Sequence, residues 1–215
     1  MTRTGRQIER LFDLIRTIDP STVIAPEKRH RFDIKQLGPG SVYGLEDKIY
    51  LVQEIGTYAE TDEKFQKQFD WTGHEIKGVC LETGSARHLE WEEDDEIEVS
   101  ATIGEVKFSE LTYDDGEPIA QDSDDLDEIV EKKWEIRHGG KTFHYQDDYA
   151  AQYMKGSGSK KENVYFYEFE TDSGEQLTIE VWIQQSGKET FQVFLSRTVS
   201  PDDIEVIATG NHSEA

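Results

Sequence analysis

The amino-acid sequence predicts a mainly β (β-rich α+β) fold. Two meander-like β halves are expected to form a barrel or sandwich, with an N-terminal amphipathic helix and one short helix in the second half. From residue 41 onward, runs of β-branched and aromatic residues alternate with turn residues. Aromatic residues make up 11% of the 215-residue chain, too many for a disordered protein. The single cysteine, Cys80, excludes an internal disulfide framework, so a hydrophobic core must hold the fold.

The N-terminal segment 1–36 is predicted to be a helix followed by a polar connector. Between Thr4 and Ile18, apolar residues recur at helical spacing and form one stripe: Ile8, Leu11, Phe12, Ile15 and Ile18. Pro20 ends the helix, and its other face is basic. Such a helix can lie on a membrane surface, dock onto a partner, or pack on its own domain. The residues predicted to contact a partner or a membrane are Arg6, Arg10, Phe12 and Arg16.

The first β half is predicted over residues 37–111. Its expected strands are Lys48–Ile55, Phe69–Leu81, Ala86–Trp91, Glu96–Ile103 and Glu105–Leu111. Hairpin turns are expected at Thr83-Gly84 and Ile103-Gly104, because glycine tolerates the positive φ of tight turns. Residues 112–128 are polar, acidic and poor in strand formers, so they are predicted to be an acidic loop between the halves.

The second β half is predicted over residues 129–208. Its expected strands are Ile129–Arg137, Thr142–Tyr145, Val164–Glu170, Gln176–Gln184, Thr190–Ser196 and Ile204–Ala208. Asp147–Met154 is predicted to be the second helix, capped by Asp147 or Asp148. Residues 209–215 are expected to form a frayed tail.

The charge is large and unevenly distributed. The chain carries 46 acidic and 23 basic residues, a net charge of −23. Residues 1–50 hold nine Lys or Arg against seven Asp or Glu, whereas residues 51–215 hold 14 against 39. Such a field repels nucleic-acid phosphates and favours basic partners or cations, with plain solubility as the alternative. No apolar run approaches the length of a membrane span and no signal peptide is recognisable, so a cytoplasmic protein is expected.

Motifs for catalysis, metal binding and cofactor binding are not found in the sequence. It contains no G-x-S-x-G nucleophile elbow, no phosphate-binding loop and no H-x-x-x-H pair. The acidic run 122–127 lacks the central glycine of a calcium-binding loop. Cys80, in a strand-like run, is expected to be a small buried side chain. We therefore predict a protein that is not an enzyme, with no catalytic residue, no metal site and no cofactor.

Two segments of the chain, 82–91 and 170–182, resemble each other. Each has a glycine-containing turn followed by a strand that bears Leu, an acidic residue and Trp. The halves are therefore predicted to be related, although chance similarity of hairpins is a competing explanation. The acidic residues of the two segments and nearby aromatic residues are the candidates for a binding surface, with a role in the core as the alternative. These candidates are Trp71, Glu90, Trp91, Tyr165, Tyr167 and Glu180.

Several segments together resemble a bacterial family, domain of unknown function 4178. In the first half the resemblance rests on Gly38 to Tyr43, Ile49-Tyr50-Leu51-Val52, Trp71 with Glu75, Leu81 and Leu89. In the second half it rests on Gly140, Phe143-His144-Tyr145, Ala150-Ala151, the run from Tyr165 to Phe169, Leu177 to Glu180, and Val199 to Val206. It covers the sequence from residue 37 to residue 208.

The resemblance implies a β-rich domain without an assigned activity. Members of the family tend to be encoded near phage-shock-type membrane-stress proteins, small membrane proteins and polyamine-synthase-like enzymes, which implies an accessory role at the envelope. Some members begin with a Cys-x-x-Cys metal ribbon. This chain has a basic helix there instead, so a zinc role does not carry over.

Two functions are expected as alternatives. The first is a non-enzymatic acidic β-domain that acts as a protein-interaction or accessory module in the bacterial envelope or membrane-stress response, with a basic protein or a membrane-stress protein as partner. The second is a β-barrel that binds a small polycation such as a polyamine through carboxylates and cation–π contacts. Nucleic acid is not an expected partner, and any membrane contact is expected to be peripheral, at the inner membrane.

Overall fold

The computed structural model describes the backbone of residues 3–210, and the side chains of Glu9 and of residue 11 onward. The chain divides into two compact units. The first comprises Met1–Gly56, His74–Val99 and Val199–Ala215, as far as these are described, and the second comprises Thr57–Gly73 and Ser100–Thr198. The eleven strands of the described chain belong to one antiparallel sheet, so the prediction of a mainly β fold is confirmed. Residues 211–215 of the predicted tail lie outside the described residues.

The N-terminal helix, α1 (Arg3–Arg16), forms where the apolar spacing predicts it. Side chains at its C-terminal end pack onto a buried cluster of the first unit. These contacts join Leu14 and Ile18 to Val42, Leu51 and Ala208. Phe12 and Ile15 are instead 57% and 46% exposed. The helix is thus held on its own unit by one part of its apolar surface and presents another part to solvent.

The apolar residues between Thr4 and Ile18 keep the helical spacing that the sequence predicts, but the described ones do not all pack on the core. Each residue advances about 100° around a helix, so Phe12 and Ile15 lie about 100° or more from the direction of Leu14. Leu14 and Ile18 contact the buried cluster, whereas Phe12 and Ile15 are exposed. Of the basic residues predicted to contact a partner, Arg16 is exposed and pairs with Asp13 at 3.3 Å. The side chains of Arg6 and Arg10, like that of Ile8, lie outside the described residues.

The connector that follows α1 contains three short 3-10 helices, Pro20–Thr22, Pro26–Arg31 and Ile34–Gln36. Asp33 caps the last of them by accepting from the backbone N–H of Lys35 at 2.9 Å. Before the second of them, Val23 forms an isolated bridge with Ala208, which caps an otherwise open edge of the sheet.

The first unit contains a β-meander closed at one side by the C-terminal strand. Its strands are β1 (Val42–Leu45), β2 (Lys48–Thr61), β3 (Gln68–Cys80), β4 (Ala86–Glu93), β5 (Ile97–Val106) and β11 (Glu205–Ala208), of which β2, β3 and β5 continue into the second unit. They neighbour one another in the order β11-β1-β2-β3-β4-β5. The predicted turn at Thr83-Gly84 is confirmed, and Gly84 has a φ of +72°. A residue with a side chain rarely adopts that angle, which explains the glycine.

The hairpin predicted at Ile103-Gly104 is wrong. β5 runs through both residues, and a short 3-10 helix, Phe108–Glu110, follows it. An added Cβ at Gly104 would meet nothing within 4 Å, so this glycine serves neither a turn nor a close contact. The glycine therefore gave a false turn signal within a continuous strand.

The second unit contains the second meander. Its strands are β6 (Ile136–His138), β7 (Lys141–Lys155), β8 (Lys161–Glu170), β9 (Glu175–Ile183) and β10 (Glu189–Val199). They neighbour one another in the order β5-β10-β9-β8-β7-β6, and β7 also pairs with β2. Residue Thr112 bridges to Arg137 of β6, with both backbone hydrogen bonds made. The two predicted meanders are thus confirmed.

Among the described residues, the α-helix of the second half is α2 (Ser123–Lys132), in a place where the sequence predicts an acidic loop and then a strand. Asp122 caps it by accepting from the backbone N–H of Asp125. Leu126 and Ile129 are fully buried against the second-unit core. Two of the acidic residues that indicate a loop in the sequence, Asp124 and Asp125, belong to the first turn of the helix, where the helix dipole favours negative charge.

The helix predicted over Asp147–Met154 is wrong, because these residues belong to the C-terminal half of β7. Its ladder with β8 is broken by one irregularity, between Tyr145 and Asp147. Tyr149 and Tyr153 are four residues apart and so share a face of a helix, but residues two or four apart also share a face of a strand. The spacing of these residues therefore fits both a helix and a strand, and the pairing with β8 makes the segment a strand.

Candidate functional site

The predicted binding residues of the second unit lie on opposite faces of its sheet. Tyr165 and Tyr167 of β8 belong to the face that packs against α2. Trp71 packs against the other face, where Phe166 lies. Glu180 of β9 is in register with Phe166 and shares that face. The structure therefore brings these candidates together in two pairs.

One face of the second unit carries a continuous series of aromatic rings, which we call the aromatic face. Its members, in order of contact, are Trp71, Tyr149, Phe166, Tyr58, Tyr153 and Trp182. Successive ring centroids lie 5.5, 4.8, 5.2, 4.9 and 5.4 Å apart, within the range of favourable aromatic pairs. The first two rings and the last are half-buried, and the three between them are buried. Both ends of the series therefore keep some exposed surface.

Two carboxylates hydrogen-bond to rings of the aromatic face. The Tyr149 hydroxyl donates to Oε1 of Glu168 at 3.1 Å, and the Trp182 indole Nε1–H donates to Oε2 of Glu180 at 2.8 Å. Glu180 is only 4% exposed. Since Glu180 pairs with Phe166, it is the diagonal neighbour of Glu168 across β8 and β9. The carboxylates, which accept hydrogen bonds at the ring edges, and the negative faces of the rings together give this surface a potential that attracts cations.

The other face carries a tyrosine–aspartate cluster, defined by Tyr145, Asp148, Tyr165, Tyr167 and Asp127. Asp148 accepts hydrogen bonds from the hydroxyls of Tyr145 and Tyr165, both at 2.5 Å. Asp127 of α2 accepts from Tyr167 at 2.6 Å. The Tyr165 and Tyr167 ring centroids lie 5.0 Å apart. Within the described part of the chain, neither aspartate forms an ion pair with Lys, Arg or His.

The tyrosines of this cluster stay neutral. Burial raises the pKa of the Tyr145, Tyr165 and Tyr167 hydroxyls well above the usual value, and the hydrogen bonds to the aspartates raise it further. The phenols therefore keep their protons at neutral pH and remain donors. The cluster consequently offers negative charge from carboxylates whose side-chain partners are all neutral.

The remaining candidates, Glu90 and Trp91, lie in the first unit. They are adjacent on β4, so their side chains point to opposite sides of the sheet. Glu90 is in register with Glu75, whose Oε1 lies 2.5 Å from Nδ1 of His88. Trp91 stacks on His74, with ring centroids 4.0 Å apart. These surroundings differ from those of the aromatic face. The similarity of segments 82–91 and 170–182 therefore does not extend to the residues around Glu90 and Glu180.

Two other kinds of site were sought in the described residues. Between residues 3 and 210, no group of three or more His, Cys, Asp or Glu side chains is placed to hold a metal ion. In the same range, no helix has the length and apolar character needed to cross a membrane. Cys80 is buried, as expected, and its thiol donates to Oε2 of Glu82 at 2.9 Å.

Sequence reasoning missed important members of both surfaces. Asp148, Tyr149 and Tyr153 fall in the segment predicted as a helix, and Asp127 in the predicted acidic loop. The bulge after Tyr145 sets which face Asp148 occupies, and no local pattern predicts it. One signal was available in the sequence. Consecutive aromatic residues in β8 point to opposite faces of the sheet, which indicates that both faces are packed against other parts of the protein.

The arrangement suits binding of a positively charged group. Both surfaces combine aromatic rings with carboxylates, and each of these two kinds of group attracts a cation. The cluster is open to solvent at Asp127, which is exposed, and the aromatic face at its half-buried indoles.

Comparison with known proteins gives one match. No curated protein and no solved structure matches this chain. The model of a family described as a domain of unknown function (DUF4178) matches residues 38–201, which is more than half of the chain. The resemblance expected from the sequence is thereby confirmed, and the chain belongs to the DUF4178 family.

Proposed function

We propose that this protein is a non-enzymatic interaction module whose acidic second unit receives a basic group of a partner protein. The observation that carries the proposal is the set of side-chain partners of Asp127 and Asp148, which in the described structure are tyrosine hydroxyls. A Lys or Arg side chain forms stronger hydrogen bonds with a carboxylate than a neutral donor does. A basic side chain of a partner would therefore form stronger hydrogen bonds with Asp127 and Asp148 than the tyrosine hydroxyls do.

The charge around the cluster supports the same function. Glu63 adds negative charge close enough to raise the pKa of Tyr165. The net charge of −23 attracts cationic partners over longer distances and speeds their encounter, an effect that salt weakens. The half-buried ring of Tyr165 offers an adjacent surface for the hydrocarbon stem of a basic side chain.

The proposed setting is an accessory role in the bacterial envelope or membrane-stress response. The feature in favour of it is the outer surface of α1, where Phe12 and Ile15 are exposed next to the exposed Arg16. Exposed apolar side chains beside a basic one fit a peripheral contact with a membrane or with a membrane-stress protein.

A small-molecule-binding domain for a polycation is the second candidate function. The aromatic face favours it, because a buried carboxylate, Glu180, lies against a series of rings in the manner of sites that bind organic ammonium ions. The two candidates use opposite faces of the same sheet, so each can be tested with the other left intact.

The test of the interaction module is affinity capture from the organism that encodes the protein, at low and high salt. The parent protein is compared with a variant that carries Asp127→Asn and Asp148→Asn, and with a charge-matched control that carries Asp94→Asn and Asp95→Asn. Both control residues are exposed. A third variant, Phe12→Ser with Ile15→Ser, changes only the exposed side of α1.

We expect the parent and the control to retain a basic partner at low salt, and the Asp127 and Asp148 variant to lose it. We expect the α1 variant to lose a partner of the envelope or the membrane-stress response. Equal capture by the two aspartate variants would contradict the proposed site, since it would show attraction to net charge alone. Circular dichroism of each variant confirms that it is folded.

A further inference from the structure

We propose that residues 68–72 of β3, which we call the docking edge, receive an extended segment of a partner protein that alternates basic and apolar side chains. The segment adds one antiparallel strand to the sheet of the second unit, a common way for proteins to recognise peptides. The docking edge is a surface that neither function proposed above uses, because binding there depends on backbone groups at the side of a strand.

This part of β3 has a neighbouring strand on one side only. β3 lies between β2 and β4 in the sheet, but its pairing with β4 runs only from His74 to Val79. Elsewhere in the described chain, isolated bridges cover the outer strands β11 and β6, whereas no such bridge involves residues 68–73. An uncovered strand edge is a template for pairing with another chain.

The backbone hydrogen-bonding groups of Gln68, Asp70 and Thr72 point to the open side. The N–H of Asp62, just after β2, donates to the carbonyl of Lys67 at 2.9 Å, so Lys67 faces β2. The backbone groups of successive residues in an antiparallel strand alternate between its two sides. Residues at odd spacings from Lys67 therefore face away from β2. All three are exposed, so their N–H and C=O groups are accessible to a partner strand.

The side chains of the docking edge suit a strand of alternating character. Phe69 and Trp71 share one face of β3, where Phe69 is 41% exposed and Trp71 is half-buried. Asp70 points to the other face, is exposed, and forms no ion pair with a described residue. Cross-strand neighbours stabilise a sheet when apolar groups meet and when opposite charges meet. A bound strand therefore places apolar side chains beside the two rings and basic side chains beside Asp70.

The charge of the second unit favours a basic segment over a second copy of this chain. The residues of this unit include 25 Asp or Glu against 12 Lys or Arg. Two copies that paired along the docking edge would bring this excess of negative charge together, and a pairing centred on Asp70 would set two aspartates opposite each other. A lysine or arginine in that place forms a charge-assisted hydrogen bond instead.

The test is the binding of a short fluorescent peptide of alternating lysine and valine, followed by anisotropy at physiological ionic strength. The protein is the full chain with Asp127→Asn and Asp148→Asn, so that the tyrosine–aspartate cluster does not contribute. When the valines lie beside the rings of an antiparallel partner, the lysine N–H groups face β3 and the valine N–H groups face away.

Backbone methylation of the peptide separates strand pairing from attraction between charges. Nα-methylation of the lysines keeps every charge but removes the N–H groups that face β3, and should weaken binding by about tenfold or more. Nα-methylation of the valines should change the affinity little.

Two substitutions test the docking edge from the side of the protein. Thr72→Pro removes an outward N–H and leaves the pairing with β2, so it should fold and should weaken binding by about tenfold or more. Asp70→Lys should weaken binding by about fivefold or more through repulsion. Glu117→Lys makes the same change of charge at an exposed loop residue of the same unit and should have a much smaller effect. Circular dichroism confirms that each variant is folded.

Amide hydrogen exchange locates the bound peptide. In the free chain, the amides of Asp70 and Thr72 should exchange faster than those of Phe69 and Trp71, which face β2, and the peptide should slow them. Absence of binding, equal affinities of the two methylated peptides, or an unchanged affinity in Thr72→Pro would overturn the proposal.

The oligomeric state of the parent chain tests the alternative occupant. Sedimentation should show a monomer at the concentrations of the binding assay. A dimer that Thr72→Pro abolishes would overturn the proposal, because a second copy would then occupy the docking edge. None of these outcomes bears on the tyrosine–aspartate cluster, which is tested with different variants.

Discussion

The indole Nε1–H of Trp182 donates a hydrogen bond of 2.8 Å to Oε2 of Glu180, two residues earlier on β9. Residues two apart on a strand share a face, so the bond holds the buried carboxylate against the aromatic face. This contact links the ring series to its most buried charge. It is one of the contacts that satisfy this glutamate, which is only 4% exposed.

Trp182→Phe should lower the free energy of unfolding by about 1–3 kcal/mol, because the buried Glu180 carboxylate loses a hydrogen-bond donor while the aromatic contact is largely kept. Urea denaturation measures the change. The control is Trp134→Phe, since Trp134 is 40% exposed and its indole borders Lys132 and Tyr113 at the surface. Equal stability of Trp182→Phe and the parent would show that the hydrogen bond contributes nothing.

Gly78→Ala should destabilise the first unit by about 1–3 kcal/mol, since the added Cβ would lie 2.6 Å from the hydroxyl of the fully buried Tyr43. Tyr43→Phe in the same chain should restore part of the loss by removing that oxygen. Gly104→Ala should cause no loss, because nothing lies within 4 Å of its added Cβ. Thermal unfolding compares the variants, and an equal response at positions 78 and 104 would contradict the packing described.

Glu46→Gln should destabilise the protein by about 1–3 kcal/mol, because it leaves the buried Arg87 guanidinium without its counter-charge. Arg87 makes two hydrogen bonds to Glu46, at 2.7 and 3.2 Å, and a third to Tyr50. The control is Glu93→Gln, which removes the partner of Lys35 in a more exposed ion pair and should change stability little. Chemical denaturation at neutral pH separates the two cases. Similar effects of both substitutions would contradict a special role for the Arg87 pair.

The second unit should lose stability in alkali. Burial and the charge of Asp125 raise the pKa of Tyr113 to about 12, and burial with hydrogen bonding to Asp148 raises the pKa of Tyr145 and Tyr165. A phenol with a raised pKa in the folded state contributes stability that is fully present below its unfolded pKa of about 10, and that is lost as the pH rises through the folded value.

Absorbance titration of the tyrosinates tests this pH dependence. Tyr113, Tyr145 and Tyr165 should ionise only well above the usual pH of about 10, as the fold opens. Asp148→Asn should allow Tyr145 and Tyr165 to ionise at lower pH, because it removes the neighbouring negative charge. A single transition near pH 10 for all nine tyrosines in the folded protein would contradict the burial described.

Most strands could be predicted from the sequence, because runs such as Val164–Glu170 combine strand-forming residues with turns at both ends. The helix α2 could not, since its acidic first turn resembles a loop until the burial of Leu126 and Ile129 is known. The sequence also does not predict which residues lie on each of the two faces of the sheet. They depend on the register of β7 with β8 and on the bulge after Tyr145, which tertiary pairing decides.

The candidate residues were predicted by type and not by arrangement. Tyr165, Tyr167, Trp71 and Glu180 were chosen as aromatic and acidic residues in strands, and the structure places them as two pairs on opposite faces. The partner that completes the first pair, Asp148, lies in the segment that the sequence predicts as a helix, where it is one of two candidate caps beside Asp147. Sequence patterns therefore predict which residue types meet in a sheet, whereas the long-range pairing of strands decides which of them share a surface.

The most direct test of the central claim is the binding of a fluorescently labelled lysine-rich peptide, followed by anisotropy at physiological ionic strength. If the second unit receives a basic group at its tyrosine–aspartate cluster, Asp127→Asn with Asp148→Asn should weaken binding by about tenfold or more. Asp94→Asn with Asp95→Asn, which removes the same charge elsewhere, should bind as the parent does. Equal weakening in the two variants, or none in either, would contradict the claim that this cluster is the site.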